Sequence, residues 1–380
     1  TIAAPGSRNT AFYNAHSYMT KVPPEAIVPF IKHYTRPGDI VLDMFAGSGM
    51  TGVAAALSGR HAVLRDIAVI SSHMAFNHTR PCDPALLHKT FSELYEELKP
   101  EFQAIYKVPG NRKEGDGYAH YTLWSERYKC PECKKAFTLY DAIDTSTGRV
   151  GTTILCPTCH SELKRQRLRS MGSVPVLINY QNSKRGGRSE RKPTRNDLAH
   201  MTSFSRETVK EWYPRASIGP ERDMFNISAL HLRGISEVAD FYTDRNLYAL
   251  SRLFAAIRSV EDERVRQVLT FAFTNTAWHG TRMRRFNARG GQRPLTGTLY
   301  IPQISSEVNV LEVLRNKVRQ LARYYEAFPQ SLQVAPPVIT LGSAANLTGI
   351  PDAVSYTHLR AHETADVISY AVFCLKRGGG

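Results

Sequence analysis

Residues 40–52 read Ile-Val-Leu-Asp-Met-Phe-Ala-Gly-Ser-Gly-Met-Thr-Gly, and the fold prediction begins from this stretch. Its first three residues form the short apolar run that is typical of a parallel strand covered on both faces. Gly47 and Gly49 allow the backbone to turn sharply and to approach a ligand closely, and the alanines at 54–56 then favour a helix. Free N–H groups at that helix start attract a carboxylate or a phosphate. The stretch therefore predicts a cofactor-binding strand, turn and helix.

The spacing of the glycines leaves the cofactor open. Gly47, Gly49 and Gly52 also satisfy the dinucleotide fingerprint, so the turn by itself permits NAD, FAD or S-adenosylmethionine. A second strand, predicted over 61–64, leads to Asp66, which lies 23 residues beyond Asp43 and is placed to bond ribose hydroxyls in either cofactor class. An ordinary strand-to-helix turn in a doubly wound domain is the remaining alternative.

The residues around the glycines resemble a known family. Residues 43–52 are similar to the D-P-F-x-G-S-G-T-T motif of DNA amino-methyltransferases, with Met44 in place of the proline. Residues 16–23, His-Ser-Tyr-Met-Thr-Lys-Val-Pro, resemble that family's H-P-x-x-K-P segment, which closes over the methionine part of S-adenosylmethionine. The resemblance favours S-adenosylmethionine over the dinucleotides. It implies these cofactor-binding residues: Thr20, Lys21, Asp43, Phe45, Gly47, Ser48, Gly49 and Asp66.

The family transfers a methyl group to N6 of adenine or N4 of cytosine in DNA, and its motif order here resembles the alpha arrangement. The resemblance implies an α/β, Rossmann-like S-adenosylmethionine-dependent methyltransferase fold with an incomplete sheet. We also expect strand 40–44 to lack a neighbour on one side.

The family's catalytic motif, D/N/S-P-P-Y/F, does not occur in the 380 residues. Residues 343–352 resemble the stretch just before it, so the motif is expected after Ala353, and the resemblance implies a chain truncated at that point. We therefore name no catalytic residue and expect this chain to be inactive by itself.

The last residues read as a translated sequencing adapter. Residues 354–364 and 368–376 resemble two parts of one such adapter in a single reading frame, so we leave 354–380 out of the fold prediction.

Composition limits the class of protein. Forty-nine Lys and Arg against 34 Asp and Glu give a net charge of +15, which suits a polyanion such as DNA, although a merely basic surface is the alternative. The sequence has no run of 18 apolar residues and no secretory pattern, which predicts a cytoplasmic protein without a membrane partner.

Four cysteines predict a metal site. Cys130 and Cys133 form one C-x-x-C pair and Cys156 and Cys159 another, with 22 residues between the pairs. Such pairs on turns bring four thiolates to a tetrahedral Zn²⁺, and a closed set of four makes the zinc structural. Redox-active dithiols are the main alternative. We expect His160 to be a spectator.

Two basic segments follow the cysteines. Residues 164–195 and 282–293 are rich in Arg and Lys, and the second contains Phe286, which could stack on a base. Solvated loops are the alternative. The predicted organisation is a cofactor-binding part at 1–117, a zinc ribbon at 118–165, a basic and mainly helical target-recognition region at 166–335, a return to the sheet at 336–353, and the non-native tail at 354–380.

Two functions remain open at this point. The first is a fragment of a DNA amino-methyltransferase, of which an RNA methyltransferase is a variant. The second is a non-enzymatic zinc-ribbon protein that binds nucleic acid. Neither the target base nor the recognition sequence follows from the residues.

Overall fold

The computed structural model describes residues 10–19, 21–110, 115–143, 151–182, 187–287, 292–295, 297–348 and 355–356. These residues form a mixed α/β structure, so the α/β part of the fold prediction is confirmed. The helices are α1 (Ala11–Asn14), α2 (Pro24–Tyr34), α3 (Met50–Leu57), α4 (Val69–Thr79), α5 (Pro84–Ile105), α6 (Arg195–Thr202), α7 (Asp223–Ile227), α8 (Asp244–Arg258), α9 (Glu263–His279), α10 (Val310–Glu326) and α11 (Gln330–Val334).

The strands belong to three sheets. They are β1 (Ile40–Asp43), β2 (His61–Asp66), β3 (Lys107–Val108), β4 (Gly117–Lys129), β5 (Ala136–Thr138), β6 (Thr153–Leu155), β7 (Glu162–Lys164), β8 (Ser170–Asn182), β9 (Arg188–Arg191), β10 (Ile304–Val308), β11 (Val338–Leu341) and β12 (Ser355–Tyr356). None of the helices in the described part of the chain is both long and apolar enough to cross a membrane.

The chain divides into two compact units. The first comprises residues 1–95, 256–276 and 314–380, and the second comprises 96–255 and 277–313. Four helices, α5, α8, α9 and α10, have residues in both units. The region predicted to be mainly helical also contains strands β8, β9 and β10. Strands β8 and β10 pair with β4 across more than forty residues of intervening sequence, and β9 pairs with β8.

The first unit is built on a parallel sheet with the order β11, β2, β1, β12. Helix α3 packs on this sheet through small side chains, since Ala54 and Ala55 are fully buried. Small residues allow the helix to approach the strands closely, and Val41 and Leu64 fill the space beneath. The sheet therefore holds the turn between β1 and α3 at its carboxyl edge.

One neighbour of β1 differs from the prediction. We expected an open edge on the side away from β2, but Ser355 and Tyr356 pair there in parallel with Val41 and Leu42. These two residues lie just beyond Ala353, in the stretch that the fold prediction excluded. Within the described residues, the pairing extends over two positions only.

The second unit has an antiparallel sheet in which β4 pairs with β10 and with β8. The cysteine-bearing hairpins extend from this sheet: β5 pairs with the end of β4, and β6 pairs with β7. The start of α8 is joined to the sheet by a buried ion pair, in which Arg245 donates from Nη2 to Glu307 at 2.6 Å.

The environment of Glu307 keeps this carboxyl ionised. Its oxygens also accept from the Thr243 hydroxyl at 2.6 Å and from the indole N–H of Trp124 at 2.9 Å. Burial would raise the pKa of Glu307, but the adjacent Arg245 guanidinium and these hydrogen bonds hold it below its usual value. Glu307 thus joins β4, β10 and the start of α8 through charged hydrogen bonds.

We predict that Arg245→Met lowers the free energy of unfolding by roughly 3–5 kcal/mol, because it leaves the Glu307 carboxylate buried without its counter-charge. The matched control is Lys99→Met, which removes a lysine from an exposed pair with Glu96 and should cost under about 1 kcal/mol. Urea unfolding of both variants measures the difference. Equal losses for the two variants would contradict this assignment.

Candidate functional site

The glycine turn lies between the end of β1 and the start of α3. Gly47 has φ of +49° and Gly49, which caps the helix, has φ of +81°, so both adopt a backbone conformation that favours glycine. The Phe45 N–H donates to Asp43 Oδ1 at 3.0 Å, which fixes the first residues of the turn. Residues other than glycine at 47 and 49 would thus strain the backbone of this turn, whose first residues are held by Asp43.

Asp66 ties the end of β2 to this turn. Its Oδ2 accepts from the N–H of Gly47 at 2.8 Å, and its Oδ1 accepts from the N–H of Ala68 at 2.9 Å. A carboxylate oxygen can accept two hydrogen bonds, so the group can also receive donors from a ligand. The structure therefore brings Gly47 and Asp66, both predicted to bind the cofactor, into direct contact.

A shallow depression adjoins the Asp66 carboxylate. Ala46, Asp66, Ser71 and Ser72 are among the residues that line it. The Ser72 hydroxyl is buried and has no hydrogen-bond partner among the described residues. The residues that line the depression therefore offer a carboxylate acceptor and a hydroxyl that can donate or accept.

The segment 16–23 reaches the glycine turn through Tyr18. A Cβ added to Gly47 would lie 2.9 Å from Cε1 and Oη of the Tyr18 side chain, so the tyrosine occupies the space beside this glycine. A Cβ at Gly49 would lie 2.7 Å from Cα and Cβ of Ala75 on α4. Gly49 is thus required by packing against α4, which the glycine pattern did not indicate, and Tyr18 was not among the predicted site residues.

Lys21 is buried and its amine faces protein groups. Its Nζ donates to the carbonyl oxygen of Phe12 at 2.6 Å and to Nε2 of His78 at 3.1 Å. His78 Nδ1 lies 2.9 Å from the carbonyl oxygen of Met74, so Nδ1 carries the proton and Nε2 accepts. Burial, with a contribution from Lys317, lowers the pKa of Lys21 to about 7. In this structure Lys21 fastens its segment to α4.

The other predicted cofactor residues differ in exposure. Asp43 and Ser48 are buried, whereas Phe45 is 40% exposed and lies beside the turn. Thr20 lies outside the described residues. The roles predicted for these residues stay predictions.

The expected position of the catalytic motif also lies beyond what the structure describes. Ala353, after which the motif is expected, is outside the described residues, and so are the residues directly before it, 349–352. The sequence from 354 onward contains no D/N/S-P-P-Y/F tetrapeptide. The place of the motif therefore stays a prediction, and we assign no catalytic residue.

The four cysteines converge on one point in the second unit. Their Sγ atoms all lie within 4.8 Å of one another, with 3.7 Å between Cys130 and Cys159 and 3.8 Å between Cys133 and Cys156. A tetrahedral Zn²⁺ with bonds of about 2.3 Å separates its sulfur ligands by about 3.8 Å. The cluster therefore has the donor set and the spacing of a four-cysteine metal site.

The two cysteine turns have the same backbone geometry. Lys134 and His160, which follow the second cysteine of each pair, both have φ of +59°. The N–H of Lys134 donates to the Cys130 carbonyl oxygen, and the N–H of His160 donates to that of Cys156. His160 thus occupies a turn position, and its ring does not belong to the group of four metal-ligating side chains.

Ser161 supports one of the thiols. Hydrogen bonds from its hydroxyl, 3.3 Å from Cys159 Sγ, and from its backbone lower the pKa of Cys159 to about 6. A thiolate is the form that binds a metal. Sequence analysis missed Ser161, since a serine two residues after a cysteine carries no signal without the fold.

We predict that Lys21→Met removes part of the rise in stability between pH 7 and pH 10. Folding keeps Lys21 neutral above pH about 7, whereas the unfolded chain retains its proton to about pH 10.4, so the native state gains stability as pH rises through this window. Melting temperatures of both proteins measured from pH 7 to 10 test this. Parallel pH profiles would show that Lys21 is charged in the folded protein.

Comparison with known proteins gives a match to a family model described as DNA methylase, which covers residues 4–70. No curated protein and no solved structure matches the chain. The matched residues contain the segment 16–23, the glycine turn and Asp66. The resemblance found in the sequence is therefore confirmed: residues 4–70 are similar to the DNA amino-methyltransferase family.

Proposed function

We propose that the chain is part of an S-adenosylmethionine-dependent DNA methyltransferase that modifies the exocyclic amine of adenine or cytosine. The observation that carries the proposal is the contact between Asp66 and the glycine turn, because both lie within the segment that matches the DNA methylase family. The parallel order of β1 and β2 supports a Rossmann-like arrangement, in which ligands bind at the carboxyl ends of the strands.

The groups at this edge offer the hydrogen-bonding chemistry that S-adenosylmethionine requires. Asp66 and Ser72 would bond the ribose hydroxyls, and Phe45 would contact the ligand beside the turn. The turn itself leads into α3, whose first N–H groups favour a carboxylate such as that of the methionine part. When bound, the cofactor would supply the methyl group to be transferred. The residues of this chain bind and orient it, and we assign no proton transfer to them.

DNA is the proposed partner, in keeping with the family match. The two basic segments, 164–195 and 282–293, lie in the second unit, where Arg and Lys side chains can contact phosphates. This unit would hold the DNA while the first unit holds the cofactor.

We also propose that the cysteine cluster binds one structural Zn²⁺. Four protein thiolates complete a tetrahedral shell, so no coordination position remains for catalysis. The metal would hold together the two hairpins, β4 with β5 and β6 with β7, whose small apolar core includes Phe137 and Leu163.

The second candidate function is a non-enzymatic, zinc-containing protein that binds nucleic acid. The cysteine cluster and the basic segments favour it. It makes no use of Asp66, so cofactor binding distinguishes the two functions.

We predict that Asp66→Ala weakens S-adenosylmethionine binding about tenfold or more, because it removes the carboxylate proposed to bond the ribose and the acceptor that holds the Gly47 N–H. The control is Asp39→Ala, since Asp39 lies just before the start of β1, away from the carboxyl edge, and caps the loop at Arg36. Equilibrium dialysis of the full chain measures both constants. If the chain binds NADH and not S-adenosylmethionine, the proposed function is wrong.

We predict that the purified chain holds one zinc ion and that Cys133→Ser releases it, because three thiolates bind the metal less tightly than four. Cys82→Ser is the control, since Cys82 is a buried thiol outside the cluster. Metal analysis under reducing conditions reads out the stoichiometry. A metal-free protein, or equal zinc loss in both variants, would exclude the site.

A further inference from the structure

A cavity of about 470 Å³ in the second unit lies where the two basic segments meet. It is lined by Arg165 from the first segment and by Arg285 and Phe286 from the second. Sequence analysis treated these segments separately, because about ninety residues divide them. The remaining lining residues are Leu295, Thr298, Tyr300, Pro302, Gln303 and Ile304.

The guanidinium of Arg165 is held in place by a hydrogen bond to Gln303. Its Nη1 donates to Oε1 of Gln303, and Gln303 is fixed in turn because its Nε2 donates to Glu126 and to the Tyr128 hydroxyl. The Nε of Arg165 is buried and has no hydrogen-bond partner among the described residues. The hydrogen bond to Gln303 thus orients the guanidinium of Arg165 in the cavity wall, where its positive charge can attract a phosphate.

Two aromatic rings lie in the same cavity wall. Phe286 is half-buried and packs against the core of the cysteine-bearing hairpins, with its ring centroid 6.1 Å from that of Tyr140. Tyr300 is 40% exposed. A base can stack on an aromatic face without any sequence preference, and such contacts are worth roughly 1–3 kcal/mol per base.

The charged residues that line the cavity favour a polyanionic ligand. Among the described lining residues there are two arginines and no Asp or Glu. Further arginines lie next to it along the chain, at positions 167, 284 and 293. The volume falls in the range of ligand pockets, about 300–1,000 Å³, which is large enough for one nucleotide.

We propose that this cavity is a nucleotide subsite: it takes one unpaired nucleotide of the bound DNA, with its base against Phe286 and Tyr300 and its phosphate near Arg165 and Arg285. The inference rests on the proposed function and adds a second DNA contact, beside the cysteine cluster and in the unit that does not contain the glycine turn. The subsite would read an unstacked or single-stranded nucleotide and not the base that receives the methyl group.

The test uses the full zinc-loaded chain and a fluorescein-labelled, twelve-nucleotide single strand of mixed sequence, followed by fluorescence anisotropy. Arg165→Gln is compared with Arg167→Gln, which removes the same charge from the same short segment at an exposed position that does not line the cavity. We expect about a tenfold loss of affinity for Arg165→Gln and at most about a threefold loss for Arg167→Gln. The first loss should persist in part at high salt, because Arg165 is partly shielded from solvent, whereas the second should disappear.

Tyr300→Leu gives an independent reading, since this side chain is exposed and its replacement leaves the ribbon core intact. We expect about a tenfold weaker affinity from the lost stacking, with unchanged zinc content and unchanged S-adenosylmethionine binding. Equal effects of Arg165→Gln and Arg167→Gln, no effect of Tyr300→Leu, or tighter binding of a poly-glutamate peptide than of the oligonucleotide would each overturn the subsite. Failure of the proposed function is a different result, namely a wild-type chain that binds no S-adenosylmethionine.

Discussion

The hydrogen bond from the Gly47 N–H to the Asp66 carboxylate joins the two strand ends on which the proposed cofactor site depends. It fixes the turn after β1 relative to the end of β2, and Ala68 donates to the other oxygen of the same carboxylate. The Tyr18 side chain packs against Gly47, and Ala75 packs against Gly49, so the space next to both glycines is filled. The turn is therefore held before any ligand binds, which reduces the ordering that binding requires.

In the second unit the constraints are polar and buried. The Glu307 carboxylate accepts hydrogen bonds from β4, from the start of α8 and from the segment before it. A single carboxylate thus links parts of the chain that are distant in sequence. The cysteine-bearing hairpins have only a small apolar core. Small domains of this kind commonly require a metal for stability, which agrees with the proposed structural role of zinc.

Local patterns in the sequence predicted much of the first unit. The apolar run at 40–42, the glycines that follow and the alanines at 54–56 correspond to β1, the turn and α3, because each depends on neighbouring residues. The apolar pattern over 246–279 predicts one or two helices. The structure has two, since Asp262 begins α9 by accepting from the N–H of Val265 at 2.8 Å.

Contacts between distant residues could not be predicted in the same way. Strand β10 is buried at all five positions and pairs with β4 across about 180 residues, so no alternation of polar and apolar residues indicates it. The resemblance to the family's H-P-x-x-K-P segment singled out Lys21, but nothing local shows that its amine is buried against His78. The sequence also gives no indication that Arg165 and Arg285 line the same cavity, because this depends on how β4, β8 and β10 pair.

Binding of S-adenosylmethionine at the turn beside Asp66 separates a methyltransferase from a protein that only binds nucleic acid, and ultraviolet cross-linking of the methyl-labelled cofactor to the full chain measures it. The bound label should be recovered by mass spectrometry on peptides from residues 16–23 or 43–72, and excess unlabelled S-adenosylmethionine should abolish it while NADH should not. Labelling that falls only in the second unit, or that NADH removes, would contradict the proposed cofactor site.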